Sequence, residues 1–258
     1  MKTKMMKALA LVVPPLAIFT GDIVSVTDMA VGEVSDMYFG DVPIIPAGYA
    51  FSIWGLIYLG VLALAVVQAL PKYGDRPQFE GARIPLIANM ICNFGWIVSW
   101  QSLVFPLATI FLVLQLATAV WLYYAMGIAH RPAESTLEEW IRFPISLYVG
   151  WLTLATVVGM SALLDFWNWG AWGLSNAAWA SIMLVVSAVI GFVLTLRWDD
   201  PVYALALIWG FVAVALRPDQ AGVVMVTAVV LVMIYLAAIG IWVWKRYRKQ
   251  RMQPAVVG

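Results

Sequence analysis

Pro46-Ala-Gly-Tyr-Ala-Phe51-Ser-Ile-Trp54-Gly-Leu-Ile-Tyr58-Leu-Gly-Val-Leu-Ala-Leu-Ala-Val-Val-Gln-Ala-Leu70 runs for 25 residues without a charged side chain. About 20 such residues, wound as a helix, cover the roughly 30 Å hydrocarbon core of a bilayer. Working outward, seven further windows have the same character, at about 6–24, 84–103, 106–128, 142–164, 176–196, 202–216 and 221–244. The chain as a whole agrees: of 258 residues 64% are apolar and 11% charged, and the mean hydropathy is +0.91. The fold class is therefore all-α, a polytopic membrane helix bundle of about eight transmembrane helices.

Two windows are marginal, because 202–216 is short and the third and fourth spans meet at Leu103-Val104-Phe105-Pro106 with no charged loop. The basic residues arbitrate. If every window crosses, Lys2, Lys4, Lys7, Lys72, Arg76, Arg83, Arg131, Arg142, Arg197 and the tail residues Lys245, Arg246, Arg248, Lys249 and Arg251 share one side. Only Arg217 faces the other, the asymmetry expected of a correct count with both termini cytoplasmic. The lysines before the first apolar run resemble a secretion signal, but no small-residue cleavage site follows, so that segment is expected to be retained.

Composition also excludes. A net charge of +1 offers no basic face for nucleic acid. One cysteine, Cys92, and one histidine, His130, can make neither an internal disulfide nor a His/Cys metal centre. No charge lies at mid-depth in any window, where one would mark an ion or proton path. The six lysines sit at ends or in a loop, and Asp22 and Asp165 near helix ends. Without an acid, base, metal or cofactor motif no catalytic residue is assigned, and binding is favoured over turnover.

Aromatic residues abound instead, with 14 Trp, 10 Tyr and 11 Phe. Trp140, Trp167, Trp169, Trp172, Trp198, Trp242 and Trp244 fit an interfacial belt. Trp54, Trp96, Trp121, Trp151 and Trp209 fall deeper, where an indole N–H needs a partner or a polar cavity; each is open to packing or to ligand contact. Asn93, Gln115, Thr118, Thr153 and Thr156 are expected to make interhelical hydrogen bonds. Pro14-Pro15 should kink the first helix, and Gly95 with Ser99 should let a neighbour approach the third. The loop carrying Asp28, Glu33, Asp36 and Asp41 reads either as a solvated connector or as a cover over a cavity mouth.

The motif Pro46 to Tyr58, with Trp54 and Tyr58 one turn apart, resembles the translocator protein family, also called the tryptophan-rich sensory proteins (TspO/MBR). Asn93-Phe94-Gly95-Trp96 is similar to the family's Asn-x-x-Trp, and Trp151-Leu-Thr-Leu-Ala155-Thr156 to its Trp-x-x-Phe-Ala-Thr. Ile45 replaces the first proline of the family's Pro-Pro pair, Leu147 stands in place of another proline, and Gly159 stands where many members have Asn. The resemblance covers roughly residues 6–165 and divides the chain into a five-helix ligand-binding bundle, 1–165, and three additional helices with a basic tail, 166–258.

That resemblance implies a bacterial plasma-membrane protein, commonly a homodimer, that binds apolar planar or elongated molecules such as porphyrins, other tetrapyrroles, sterols or isoprenoids for transport, sensing or delivery. It implies a site built from Pro46, Phe51, Trp54, Tyr58, Asn93, Trp96, Trp151 and Thr156. Helix rise places Trp54 and Trp96 at one level, with Trp151 nearer mid-membrane, so a ligand touching all three would be large or elongated. The alternatives are an accessory subunit that docks through its last three helices and a tryptophan-dependent porphyrin-degrading enzyme.

Overall fold

The computed structural model describes residues 2–24 and 26–252, with the side chains of Lys2, Asp22, Lys249, Gln250, Arg251 and Met252 outside the description. The expectations for Lys2, Asp22, Lys249 and Arg251 therefore lie outside the described residues. The first helix, α1 (Lys2–Val24), continues through Pro14-Pro15 as one element. A short helix, α2 (Val31–Phe39), follows in the acidic loop, and a 3-10 turn, Gly48–Ser52, leads into α3 (Ile53–Val67). The remaining helices are α4 (Pro77–Gln101), α5 (Phe105–Ala125), α6 (Thr136–Phe166), α7 (Asn176–Trp198), α8 (Pro201–Ala215) and α9 (Gly222–Met252). No strand occurs among the described residues.

Local chemistry sets where these helices start. Pro77, Pro106 and Pro201 occupy the first turns of α4, α5 and α8, where the missing N–H would have had no helical partner. Ser135 and Ser175 accept backbone N–H bonds at the starts of α6 and α7, and the Asp200 carboxylate accepts those of Val202 and Tyr203. Each cap satisfies donors that apolar surroundings would leave unpaired.

Five helices close a ring: α1 packs on α3 and α4, α4 on α5, α5 on α6, and α6 on α3. Small residues permit the close approach. A Cβ at Gly95 would stand 2.5 Å from the Phe111 ring, so α4 and α5 need this glycine, and a side chain at Gly150 would collide with the Tyr203 carbonyl of α8. Through that second contact α8 lies along α6, and α7 and α9 complete a group of three on the far side of α6.

Among the described residues seven helices are long and apolar enough to cross a bilayer; α8, with 15 residues, is not. At 1.5 Å per residue it spans about 22 Å. It still joins the two ends of the bundle. The Asp200 carboxylate at its start accepts the hydroxyl of Tyr123, near the end of α5, at 2.7 Å, whereas the Ala213 carbonyl near its finish accepts from Ala47, ahead of α3. Most of its side chains are buried by α6, α7 and α9, so lipid contact does not set its length.

Two tryptophans depart from expectation. Trp121 is half-exposed on the outer surface of α5 and not in the interior. Trp198, expected in the belt, is buried against Tyr123 and Tyr203 and donates to the Tyr124 hydroxyl at 3.0 Å. Their positions follow helix phase, which depth alone does not reveal.

Candidate ligand-binding site

The centre of the five-helix ring holds a polar network. Tyr58 donates to Asn93 Oδ1 at 3.2 Å, and Gln115 Nε2 donates to the same oxygen and to the Tyr148 hydroxyl. Tyr148 in turn donates to Asn89 Oδ1, and Asn89 Nδ2 reaches the Gln115 carbonyl and Thr118. An amide buried in apolar surroundings without partners costs several kcal/mol, so this network fixes α3, α4, α5 and α6 in one register.

Above the network sits an aromatic floor. Trp54 stacks on Trp96 with centroids 5.1 Å apart and planes 30° apart, while Tyr58 and Tyr148 contact Trp54 at 5.3 and 5.7 Å. The floor opens into a cavity of about 650 Å³ lined also by Ile18, Phe51, Ile97, Gln101 and the stretch from Thr27 to Glu33, with Asp36 and Gly48. That volume lies within the roughly 300–1,000 Å³ typical of small-molecule sites. Trp54 is 7% exposed, and its indole N–H has no acceptor.

The acidic loop forms the cover. Val34, Ser35 and Phe39 of α2 are buried, with Phe39 stacked on Trp100. The end of α4 holds the chain before it: Gln101 Nε2 donates to the Met29 carbonyl, Trp100 Nε1 to that of Val31, and Thr27 Oγ1 donates to the Gln101 carbonyl. Glu33 accepts the Ala30 N–H at 2.8 Å, capping α2. Of the two readings of this loop, the geometry is that of a cover.

Eight residues were expected at the site, and the structure divides them. Phe51, Trp54, Tyr58 and Trp96 line the main cavity. Pro46 and Trp151 line a second, apolar recess of about 50 Å³, in which Phe51 and Trp96 form the shared wall. Phe51 meets Trp151 edge to face at 6.2 Å. Asn93 stands behind Tyr58 in the polar network, and Thr156 donates to the Leu152 carbonyl, apart from both linings. Sequence reasoning missed Trp100, one turn after Trp96 on α4, although that spacing was visible.

The last three helices support the site from outside. Trp209 of α8 donates to the Ala50 carbonyl at 2.9 Å inside the 3-10 turn. Arg217 Nη1 donates to the Val42 and Ile45 carbonyls, and Nη2 to that of Gly40. Gln220 adds a bond to the Pro43 carbonyl. The segment that carries Phe51 into the cavity is thus held by residues far along the chain.

A family model described as TSPO-like protein matches residues 4–241, a range that takes in the ring and most of the last three helices. The chain belongs to the TSPO-like protein family. With seven helices among the described residues long and apolar enough to cross a bilayer, this TSPO-like protein is an integral membrane protein. Comparisons with curated proteins and with solved structures returned no match.

Proposed function

We propose that this TSPO-like protein binds an apolar planar or elongated molecule, of the tetrapyrrole or sterol and isoprenoid type, on the Trp54–Trp96 floor, for transport, sensing or delivery across or within the membrane. The observation that carries the reading is the stacked indole pair facing a cavity of about 650 Å³. Aromatic faces hold flat rings by apolar burial and offset stacking. The lining contains neither histidine nor cysteine, so stacking on the face of the ring is the contact this reading assigns to a tetrapyrrole. The basic asymmetry supports a mouth facing away from the cytoplasm.

The test compares two tryptophans. Trp54→Phe keeps most of the apolar volume but removes the N–H and part of the ring. It should weaken binding of a metal-free porphyrin by roughly 0.5–1.5 kcal/mol, about threefold to tenfold. Trp167→Phe, on the exposed surface, should leave affinity unchanged. Titration by tryptophan quenching in non-ionic micelles reads both, and equal effects at the two positions would refute the assigned floor.

A further inference from the structure

The mouth of the cavity has one sign of charge. Asp28, Glu33 and Asp36 line it together with the aromatic floor, and no lysine or arginine does. Among the described residues, Arg217 is the basic residue at this end of the bundle. Its guanidinium is committed to three backbone carbonyls, and it lines a neighbouring cleft that also contains Asp36, Asp41 and Asp219. A ligand bearing carboxylates would bring like charges to these acids in a cleft with low-dielectric walls, which concentrate the field. A ligand bearing an ammonium would meet carboxylates at the rim and, beneath them, indole and phenol faces whose quadrupoles attract cations.

The cavity does not rest on the acids alone. Its floor is an independent aromatic platform, and the nine-tenths buried Trp54, a lining residue, has an N–H without an acceptor. Together the aromatic floor and the acids describe a complementary molecule: a flat or elongated apolar body with a cationic end.

We infer that the site selects its ligand by charge, taking an apolar ring or chain that carries a protonated amine and rejecting the same body when it carries free carboxylates. This rests on the binding reading above and sharpens it to the class of amphiphilic organic cations.

The experiment holds the ring constant and changes only its charge. Metal-free mesoporphyrin is used as the free diacid, as the dimethyl ester and as the bis(2-aminoethyl) amide, each titrated against the full chain in non-ionic micelles. At low ionic strength the diammonium form should bind tightest and the diacid weakest, with a spread of roughly tenfold or more that narrows as salt screens the rim. Asp28→Asn, Glu33→Gln and Asp36→Asn combined should collapse the spread; the amide introduced by Glu33→Gln retains an acceptor oxygen for the α2 cap, and comparing each porphyrin between parent and variant in the same micelle cancels its partitioning. The salt series on the unaltered protein tests the inference even if the triple variant fails to fold. Equal or tighter binding of the diacid, or a spread that persists unchanged in the folded triple variant, would overturn the charge inference alone. Absence of saturable binding by all three would overturn the binding reading beneath it.

Discussion

The two ends of the bundle treat carboxylates in opposite ways. At the basic end Glu138 is 1% exposed and enclosed: Arg131 and Arg142 each reach its Oε1 at 2.6 Å, while Gln78 and the Glu134 N–H approach Oε2. Arg142 also donates to the carbonyls of Met126 and Arg131, so one buried anion and two cations sew the α5–α6 loop to the first turns of α6. At the acidic end Asp28, Glu33 and Asp36 line an open cavity without a cation. A buried charge needs partners because desolvation costs several kcal/mol per ion; a charge beside water does not, and its field stays available to a ligand. The buried Glu138, paired with two arginines, holds the fold, whereas Asp28, Glu33 and Asp36, without a cation, face the cavity.

Breaking the paired end should have the largest effect. Glu138→Ala leaves Arg142 buried against no counter-charge and should cost about 3–5 kcal/mol of stability, measured by denaturant unfolding in detergent. Asp28→Asn at the open end should stay within about 0.5 kcal/mol of the parent. A comparable loss at both positions would erase the contrast.

Arg217→Ala tests the cation at the acidic end. It removes three charge-assisted bonds to carbonyls, each worth about 1.5–3 kcal/mol when buried and less at this partly exposed site. The expected result is loosening confined to residues 40–50, read as faster hydrogen exchange there, with the basic end unchanged. Global unfolding would mean that this latch carries the fold as the Glu138 cluster does.

The smallest effect belongs to Asp75, an exposed acid at the basic end. Lys7 donates to it at 2.7 Å, and this bond with the lysine's charge holds the Asp75 carboxyl below its ordinary value of 3.8. A lowered folded value means the pair contributes above that ordinary value and stops contributing as pH falls through the lowered one. Asp75→Asn should therefore be slightly less stable than the parent at neutral pH and indistinguishable from it in strong acid. A difference that survives in acid would assign the effect to something other than the ion pair.

Much of the fold is legible in the sequence because lipid imposes a simple rule: an apolar window of sufficient length must be a helix. The marginal 202–216 window is a helix, α8, but at 15 residues it falls short of the candidate spans. The short α2 is not legible, since nine residues of mixed character, Val31-Gly-Glu-Val-Ser-Asp-Met-Tyr-Phe39, carry no hydropathy signal. Its cues are Glu33 placed to cap the first turn and the apolar Val34 and Phe39, but the acids between them draw attention to charge alone. Similarly, Glu138 and Arg142 stand four apart on α6, yet in the sequence Arg142 speaks first as a marker of topology.

At the site, helix rise places Trp54 and Trp96 level, and their rings stack. The separation of Trp151 into its own recess is beyond sequence reasoning, because Phe51 creates it. That ring projects from a 3-10 turn whose path depends on Trp209, about 160 residues later. Pairings between such distant positions leave no local pattern to read.

The distance from Ala50 to Trp209 also sets a timetable. A ribosome adding about 5–20 residues per second reaches Trp209 and Arg217 some 8–35 seconds after the turn at Gly48–Ser52 has been made. Until then the cavity wall lacks the hydrogen bonds that hold it, and α1 to α6 emerge as a vessel whose rim is still slack. A nascent chain halted before α8 would thus expose the tryptophan floor to any apolar molecule in the young membrane, and the last helices to be synthesised would set the shape of a chamber built from the first.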